Sequence, residues 1–414
     1  MSVVAKSFLI RRRVDHWALA LASAAMPLRL AAGPALLFLF SCVGVYLAAV
    51  RHGAARLFAG RFYLFILLYA AWSLGLMAWR GEPVADNRQI AYTLLIALFA
   101  FAGPGMVLVR DPLRAYVLGA RAGVTLALVT VLFLPVGPDG RVGLGNEAVF
   151  AFVVGVAAVS AAIPLHARNP RFLPDGPHWL ALGLWAVFYT ETRAVMVTLA
   201  LVLAVEIALY LRRFSLRRQG AAYAALAVAL AALVTIGPVG GVLQHRFVAM
   251  IAYYAGDRTV QWDAKISADA RKVMWRNAAA IVAAHPVAGV GGYAKMDMVR
   301  AAAGPDAAIL ADERHVHNAM LDELLNDGIV GLVFLASAFA ALFVHLWRHA
   351  GQRRALVWFA LLSGGYGMLH NPLLHETTIA SILFFLGVFN AAASRRIMAA
   401  RRAHLHSNQR GLAQ

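Results

Sequence analysis

The sequence predicts an all-α polytopic integral membrane protein: about twelve transmembrane helices with one large folded loop on the outer side. Three observations carry this. Of 414 residues, 61% are apolar and only 14% charged, against about 45–50% and about 25% in soluble domains. The apolar residues fall into recurring runs close to the roughly 20 residues a crossing needs. Most basic residues sit in short clusters between alternate runs, the pattern of the positive-inside rule. An ordinary soluble enzyme is excluded, and the net charge of +18 reads as loop topology, with no nucleic acid implied.

Read with their flanks, the runs place spans at 14–27, 31–50, 62–79, 89–109, 113–135, 147–165, 178–190, 194–211, 220–240, 323–347, 355–369 and 377–394. Residues 1–240 then hold nine spans, 241–322 the large loop, 323–394 three more spans, and 395–414 a basic tail. Basic loops such as Arg212/Arg213/Arg217/Arg218 and Arg348/Arg353/Arg354 put both termini on the cytoplasmic side. The N-terminus passes from Lys6 and Arg11–Arg13 straight into the first of many runs, which argues against a signal peptide followed by a soluble domain. Two hairpins are short for two crossings, 14–50 and 178–211; each has a turn-like break, at Met26-Pro27-Leu28-Arg29 and Thr190-Glu191-Thr192-Arg193. At about 1.5 Å per residue the second hairpin reaches roughly 50 Å of the roughly 60 Å that two crossings require. Its turn, with Arg193, is expected below the outer surface.

The loop 241–322 carries nine basic residues and many aromatics, among them Phe247, Tyr253, Trp275 and Tyr293. Such a composition argues for a folded cap, with a helix over about 263–284 and a glycine turn at Gly289-Val290-Gly291-Gly292. The chain has one cysteine, Cys42, within an apolar run, so no disulfide framework or thiolate metal site is expected. It lacks GxxxxGK[ST], Asp-x-Asp and HExxH, so neither ATP-driven chemistry nor a metal or other cofactor is predicted. A reaction on the outer face needs a donor that carries its own activation, and a lipid pyrophosphate would serve.

Three segments could bear that chemistry. Arg193, ionised at membrane depth, suits a phosphate through its planar fork of donors; the alternative is a snorkelling arginine paired with Glu191. In the run 268–295, Arg271 and Trp275 are i,i+4 neighbours, whereas Arg271 and Arg276 point about 140° apart and need not share a site. In 315–335, His317 sits at the mouth of span ten, where an imidazole can take a proton from a hydroxyl; an interfacial capping role is the plainer reading. Gly328 and Gly331 would let a neighbouring helix approach. Arg88, beside Asn87 and Gln89, is a second phosphate ligand or an ordinary interfacial arginine. Arg121 reads as snorkelling to the surface, and His370 and His375 as flanks of a proline turn.

His317-Asn318, nine residues, Gly328, two residues, Gly331 resembles the H-[NSQ]-x9-G-x2-[GTY] signature of O-antigen ligases. Arg271, Trp275, Arg276, His285-Pro286 and Gly289-Val290-Gly291 resemble the loop half of the O-antigen ligase and polymerase superfamily, and Thr192-Arg193-Ala194 its earlier arginine site. The arginine sites depart from R-x3-L: Val197 follows Arg193 at that spacing, and Trp275 follows Arg271.

The resemblance implies a metal-independent, inverting glycosyltransferase of the membrane-embedded GT-C type. It would sit in the inner membrane of a Gram-negative bacterium with its active site facing the periplasm. The donor would be a polysaccharide on undecaprenyl pyrophosphate and the acceptor a sugar hydroxyl of lipid A-core. His317 would be the general base and Arg193 and Arg271 the pyrophosphate ligands, with Arg276, Asn318, Arg88, Lys295 and Trp275 as further substrate contacts. The short tail and single large loop favour a ligase over an O-antigen polymerase or a protein O-oligosaccharyltransferase. A lipid-linked glycan transporter is the alternative of a different class, disfavoured by the absence of an internal repeat.

Overall fold

The computed structural model describes residues 3–50, 60–85, 87–134, 142–166, 169–170, 172–221, 224, 228, 240–241, 244–257 and 265–411. Among them the chain is helical and shows no β-strand. The helices are α1 (Val3–Ala25), α2 (Ala32–Val50), α3 (Gly60–Trp79), α4 (Arg88–Phe99), α5 (Ala102–Met106), α6 (Pro112–Phe133), α7 (Glu147–Ala161), α8 (His178–Phe188) and α9 (Arg193–Leu211). They continue as α10 (Ala249–Tyr254), α11 (Lys265–Ala284), α12 (Lys295–Ala303), α13 (Ala319–His349), α14 (Arg353–Gly367) and α15 (Glu376–Gly411).

Seven helical segments are long and apolar enough to cross a membrane: α2, α3, α4 with α5, α6, α9, α13 and the first part of α15. The protein is therefore an all-helical, multi-pass membrane protein. Five of the twelve expected crossings do not meet that measure, for physical reasons. Basic Lys6 and Arg11–Arg13 lie within α1. Helices α7, α8 and α14 have 15, 11 and 15 residues, at most roughly 22 Å against a core of about 30 Å. The expected span 220–240 lies almost wholly outside the described residues, as do loop residues Arg51, Arg56, Arg141, Arg168 and Arg171.

Capping side chains fix several helix starts. Asp111 accepts the Arg114 amide ahead of Pro112, and Asn146 accepts that of Val149. Both expected hairpin breaks are turns, with Arg29 and Glu191 in the left-handed region at φ 53° and 52°. Thr190 and Thr192 in the second turn are buried, so that turn lies inside the protein. The apolar part of α15 is hydrophobic all round and buried along almost its whole length, which makes it the central pillar against which α4, α5, α6, α7 and α13 pack. It also runs on without a break into the residues expected to form a separate tail.

Arg121 departs from expectation. It is fully buried and does not snorkel: its guanidinium donates to the carbonyls of Ala161, Ile163 and Leu173, to Asn169 and to Asp175. The segment between α7 and α8 supplies a complete set of acceptors, so the side chain has no need of the surface.

Between α11 and the start of α13 the chain builds a second, smaller core around Met274, Ile281, Val299, Leu310, Val316 and Leu325. This unit is joined to α13 by backbone. Gly328 breaks the helix at φ 67°, ψ −167°, a region essentially reserved for glycine. Three of the carbonyls beside the break find new donors: that of Leu325 accepts from the amides of Val290 and Gly291, that of Asn326 from Arg80, and that of Asp327 from the Trp72 indole. In return the Ile329 amide donates to the Pro286 carbonyl at 2.8 Å. A Cβ on Gly328 would lie 2.1 Å from the Val287 carbonyl oxygen. The close approach expected of a neighbouring helix is thus that of a loop backbone. Gly331 makes room within its own helix, where a Cβ would meet the side chains of Asp327 and Glu323.

Gly328→Ala combines that overlap with a forbidden φ and should cost at least about 2 kcal/mol. Thermal unfolding of the purified variant should show a clearly lowered Tm, while Gly364→Ala, where a Cβ meets nothing within 4 Å, should leave it within a degree or two of the parent.

Candidate functional site

The site is built where α13 begins. Asn318 caps this helix, its Oδ1 accepting from the amides of Met320 and Leu321, while its Nδ2 reaches the Met368 carbonyl at 3.4 Å. The cap stops the helix from running back through His317, which takes φ 53°, unusual for a residue with a side chain. His317 Nε2 lies 2.8 Å from Glu313 Oε2. Facing a carboxylate, that nitrogen carries the proton, and the lone pair stays on Nδ1. Nδ1 is buried and has no hydrogen-bond partner among the described residues.

Beside it lies a cavity of about 510 Å³ between α9, α10, α11 and the end of α14. Arg193, the first residue of α9, and Arg271, Lys272 and Trp275, on one face of α11, all line it. Arg193 Nη1 reaches the Met250 sulfur at 3.4 Å. Trp275 closes the wall toward the histidine: its indole N–H donates to the Val316 carbonyl at 2.7 Å. The hairpin turn and the loop helix, far apart in sequence, thus present two guanidiniums to one space.

Two more imidazoles flank His317. The ring centroids of His315 and His370 lie 4.1 and 5.4 Å from its own, and Tyr366 stacks on His370. The hydrogen bond from His317, with further help from the charge of Arg271, holds the Glu313 carboxyl below its usual range. Burial, reinforced by neighbouring cations, lowers His315 to about 4 and His370 well below its ordinary value. At neutral pH the cluster holds an ionised Glu313 and neutral His315 and His370. Among the described residues no three His, Cys, Asp or Glu side chains converge as a metal site.

The other sequence candidates go elsewhere. Arg276 points away from the cavity, 71% exposed and 3.6 Å from Asp306, as the 140° separation from Arg271 anticipates. Lys295 is buried and its ammonium lies 2.8 Å from Asp322, which also accepts from Asn371 Nδ2 at 2.8 Å. Arg88 is exposed at the start of α4 and bonds the Tyr92 hydroxyl, outside the lining of the Arg193 cavity.

Sequence reading missed Glu313 and His370. Glu313 precedes His317 by four residues, but in an irregular segment where helical spacing carries no meaning; His370 reaches the site from the turn after α14, 53 positions away. The signal that could have found the latter is its place in a polar turn on the same side of the membrane.

Residues 179–336 match the family described as O-antigen ligase, a family that includes ligases and polymerases. The matched stretch runs from α8 through Arg193, α11 and His317 to the glycine kink, and covers somewhat under half of the chain. No curated protein matches the chain.

Two outcomes follow from the charges. Depressed histidines take up protons on unfolding, so stability is full above about pH 6.5 and falls as the pH drops toward 4. Thermal unfolding across that range should show a falling Tm, with a shallower slope in His315→Gln. Lys295→Met strands the Asp322 carboxylate and should cost about 3–5 kcal/mol, read as a lowered Tm that Lys295→Met/Asp322→Leu largely restores.

Proposed function

We propose that this protein is an O-antigen ligase, which transfers a polysaccharide from undecaprenyl pyrophosphate to a sugar hydroxyl of lipid A-core on the periplasmic face of a Gram-negative inner membrane. The observation that carries the reading is the convergence of Arg193 and Arg271 on one cavity whose Trp275 wall is bonded to the backbone beside the Glu313–His317 pair. Paired guanidiniums fit a pyrophosphate, and an oriented imidazole fits a hydroxyl that must lose its proton.

In this reading His317 accepts the proton of the acceptor hydroxyl as its oxygen attacks the anomeric carbon from the face opposite the pyrophosphate. The glycosidic C–O bond to the phosphate breaks, the configuration inverts, and undecaprenyl pyrophosphate leaves with both electrons. Arg193 and Arg271 neutralise the charge that develops on it, in a largely apolar cavity where fixed charges act strongly. Glu313 is a positioning residue: it fixes the imidazole tautomer and stabilises the imidazolium, as a carboxylate does in a catalytic triad. The reaction needs no metal and no ATP. Twelve crossings, the loop 241–322 as a periplasmic cap and cytoplasmic termini complete the proposal. A polymerase or protein O-oligosaccharyltransferase would use the same groups with a different acceptor, and a lipid-linked glycan transporter would need the path without the base.

In a ligase-deleted strain with compatible donor and core, the parent chain should restore the lipopolysaccharide ladder and His317→Ala should leave bare core. Restoration only in a polymerase-deleted strain would reassign the acceptor to a growing glycan. With purified components, His317→Ala should lower kcat about 10²–10⁴-fold, and Glu313→Gln, which no longer fixes the tautomer, up to about 10⁴-fold with little change in donor KM. EDTA should leave the parent's rate unchanged, and a loss reversed by a divalent ion would refute the metal-free scheme.

A further inference from the structure

Three of the helices that frame the His317 region end together in a second cavity at the far end of the bundle. Helix α9 starts at Arg193 and runs to Leu211, just before Arg213; α13 starts beside Asn318 and ends beyond Arg348; α14 begins at Arg353 and finishes near Leu369, in the wall of the Arg193 cavity. At about 1.5 Å per residue, these helices separate the two cavities by most of a membrane's thickness. The far cavity has a volume of about 730 Å³, and Arg213, Arg348, Arg353 and Arg354 line it beside Trp347 and Trp358.

Basic residues at a helix end are ordinary; what distinguishes this group is that the acids in the wall are already engaged. Glu206 accepts from Arg354 at 3.1 Å and from the Trp358 indole at 2.7 Å. Asp175 is held by buried Arg121 and by the amides of Leu165 and His166, which keeps its carboxyl ionised. Arg213, Arg348 and Arg353 are therefore left with no acidic partner among the described residues. Two are braced by aromatic rings, Arg213 over Tyr210 at 5.8 Å and Arg353 over Trp347 at 5.3 Å, and Arg353 Nε also donates to the Trp347 carbonyl at 3.0 Å. His166 and Gln352 also line the cavity, and Val159, Ala162, Ile163 and Ala355 form an apolar stretch of its wall.

We propose that this cavity binds the phosphodiester headgroup of an anionic phospholipid. Guanidiniums braced by stacking offer paired donors to phosphate oxygens, the tryptophans sit at the depth of headgroups, and the apolar wall receives the root of the acyl chains. Basic pockets between transmembrane helices are known to hold such lipids. The site is independent of the reading of His317, and neither stands or falls with the other.

The test uses the full chain in phosphatidylcholine nanodiscs, with bound lipid counted by native mass spectrometry as cardiolipin or phosphatidylglycerol is titrated in. The parent should retain anionic lipid at least 10-fold more strongly than phosphatidylcholine, and Arg348→Gln/Arg353→Gln should lose at least 10-fold of that affinity. Arg110→Gln/Arg401→Gln, which removes the same charge from outside the cavity, should keep it. The proposal is overturned if both double variants lose equally, if the cavity variant binds as the parent does, or if 10 mM inorganic phosphate displaces the lipid and so reveals a free-anion site. Unchanged near-ultraviolet circular dichroism of the cavity variant separates lost binding from lost folding.

Discussion

A backbone junction at Gly328 holds the arrangement together. The amides of Val290 and Gly291 reach across to the Leu325 carbonyl, and the Ile329 amide returns to Pro286, so α13 and the loop that follows α11 share hydrogen bonds neither could satisfy alone. Backbone groups released at membrane depth must find partners inside the protein, and here the partners come from the unit that carries Arg271. Arg80 adds a clasp, donating to Asn326, Ala288 and Gly289 carbonyls at once. The distance between the α11 face and His317 is thereby set by main chain, which is far stiffer than contacts between flexible side chains.

Buried charge fixes a second register. Lys295 belongs to the loop unit, Asp322 to α13 and Asn371 to the turn before α15. Ion pairs of this kind contribute little net stability once desolvation is counted, but a mispaired alternative leaves a charge stranded. They select one arrangement over its neighbours. Because Asn371 follows His370, the same network places that histidine against His317, so the polar cluster is assembled from three separated segments with one geometry.

Much of this was legible. Hydropathy predicted the long helices, and the two proline- and threonine-marked breaks predicted the hairpin turns. The angle between Arg271 and Arg276 on a helix meant that the two need not share a site, and of the two Arg271 alone lines the cavity. Helical periodicity works wherever the chain is helical. It failed at Glu313, which meets His317 through an irregular turn, and at His370, brought in by packing of α14 and α15. It failed again at Arg121, whose acceptors come from a loop with no pattern to read, and at Lys295, whose burial depends on an acid 27 residues later. Gly328 was noticed for its size, while its sign of φ, invisible in the sequence, is what the junction requires.

The left-handed backbone at His317 separates two demands that a catalytic residue usually presents together. In the proposed reaction one is chemical, an imidazole between Glu313 and the acceptor; the other is conformational, a φ of 53° that alanine tolerates poorly and asparagine comparatively well. Asparagine at this position would answer the second demand without the first. Such a chain would keep its fold and its cavity yet lack a proton acceptor, and so would hold donor and acceptor side by side, unreacted, long enough to be imaged.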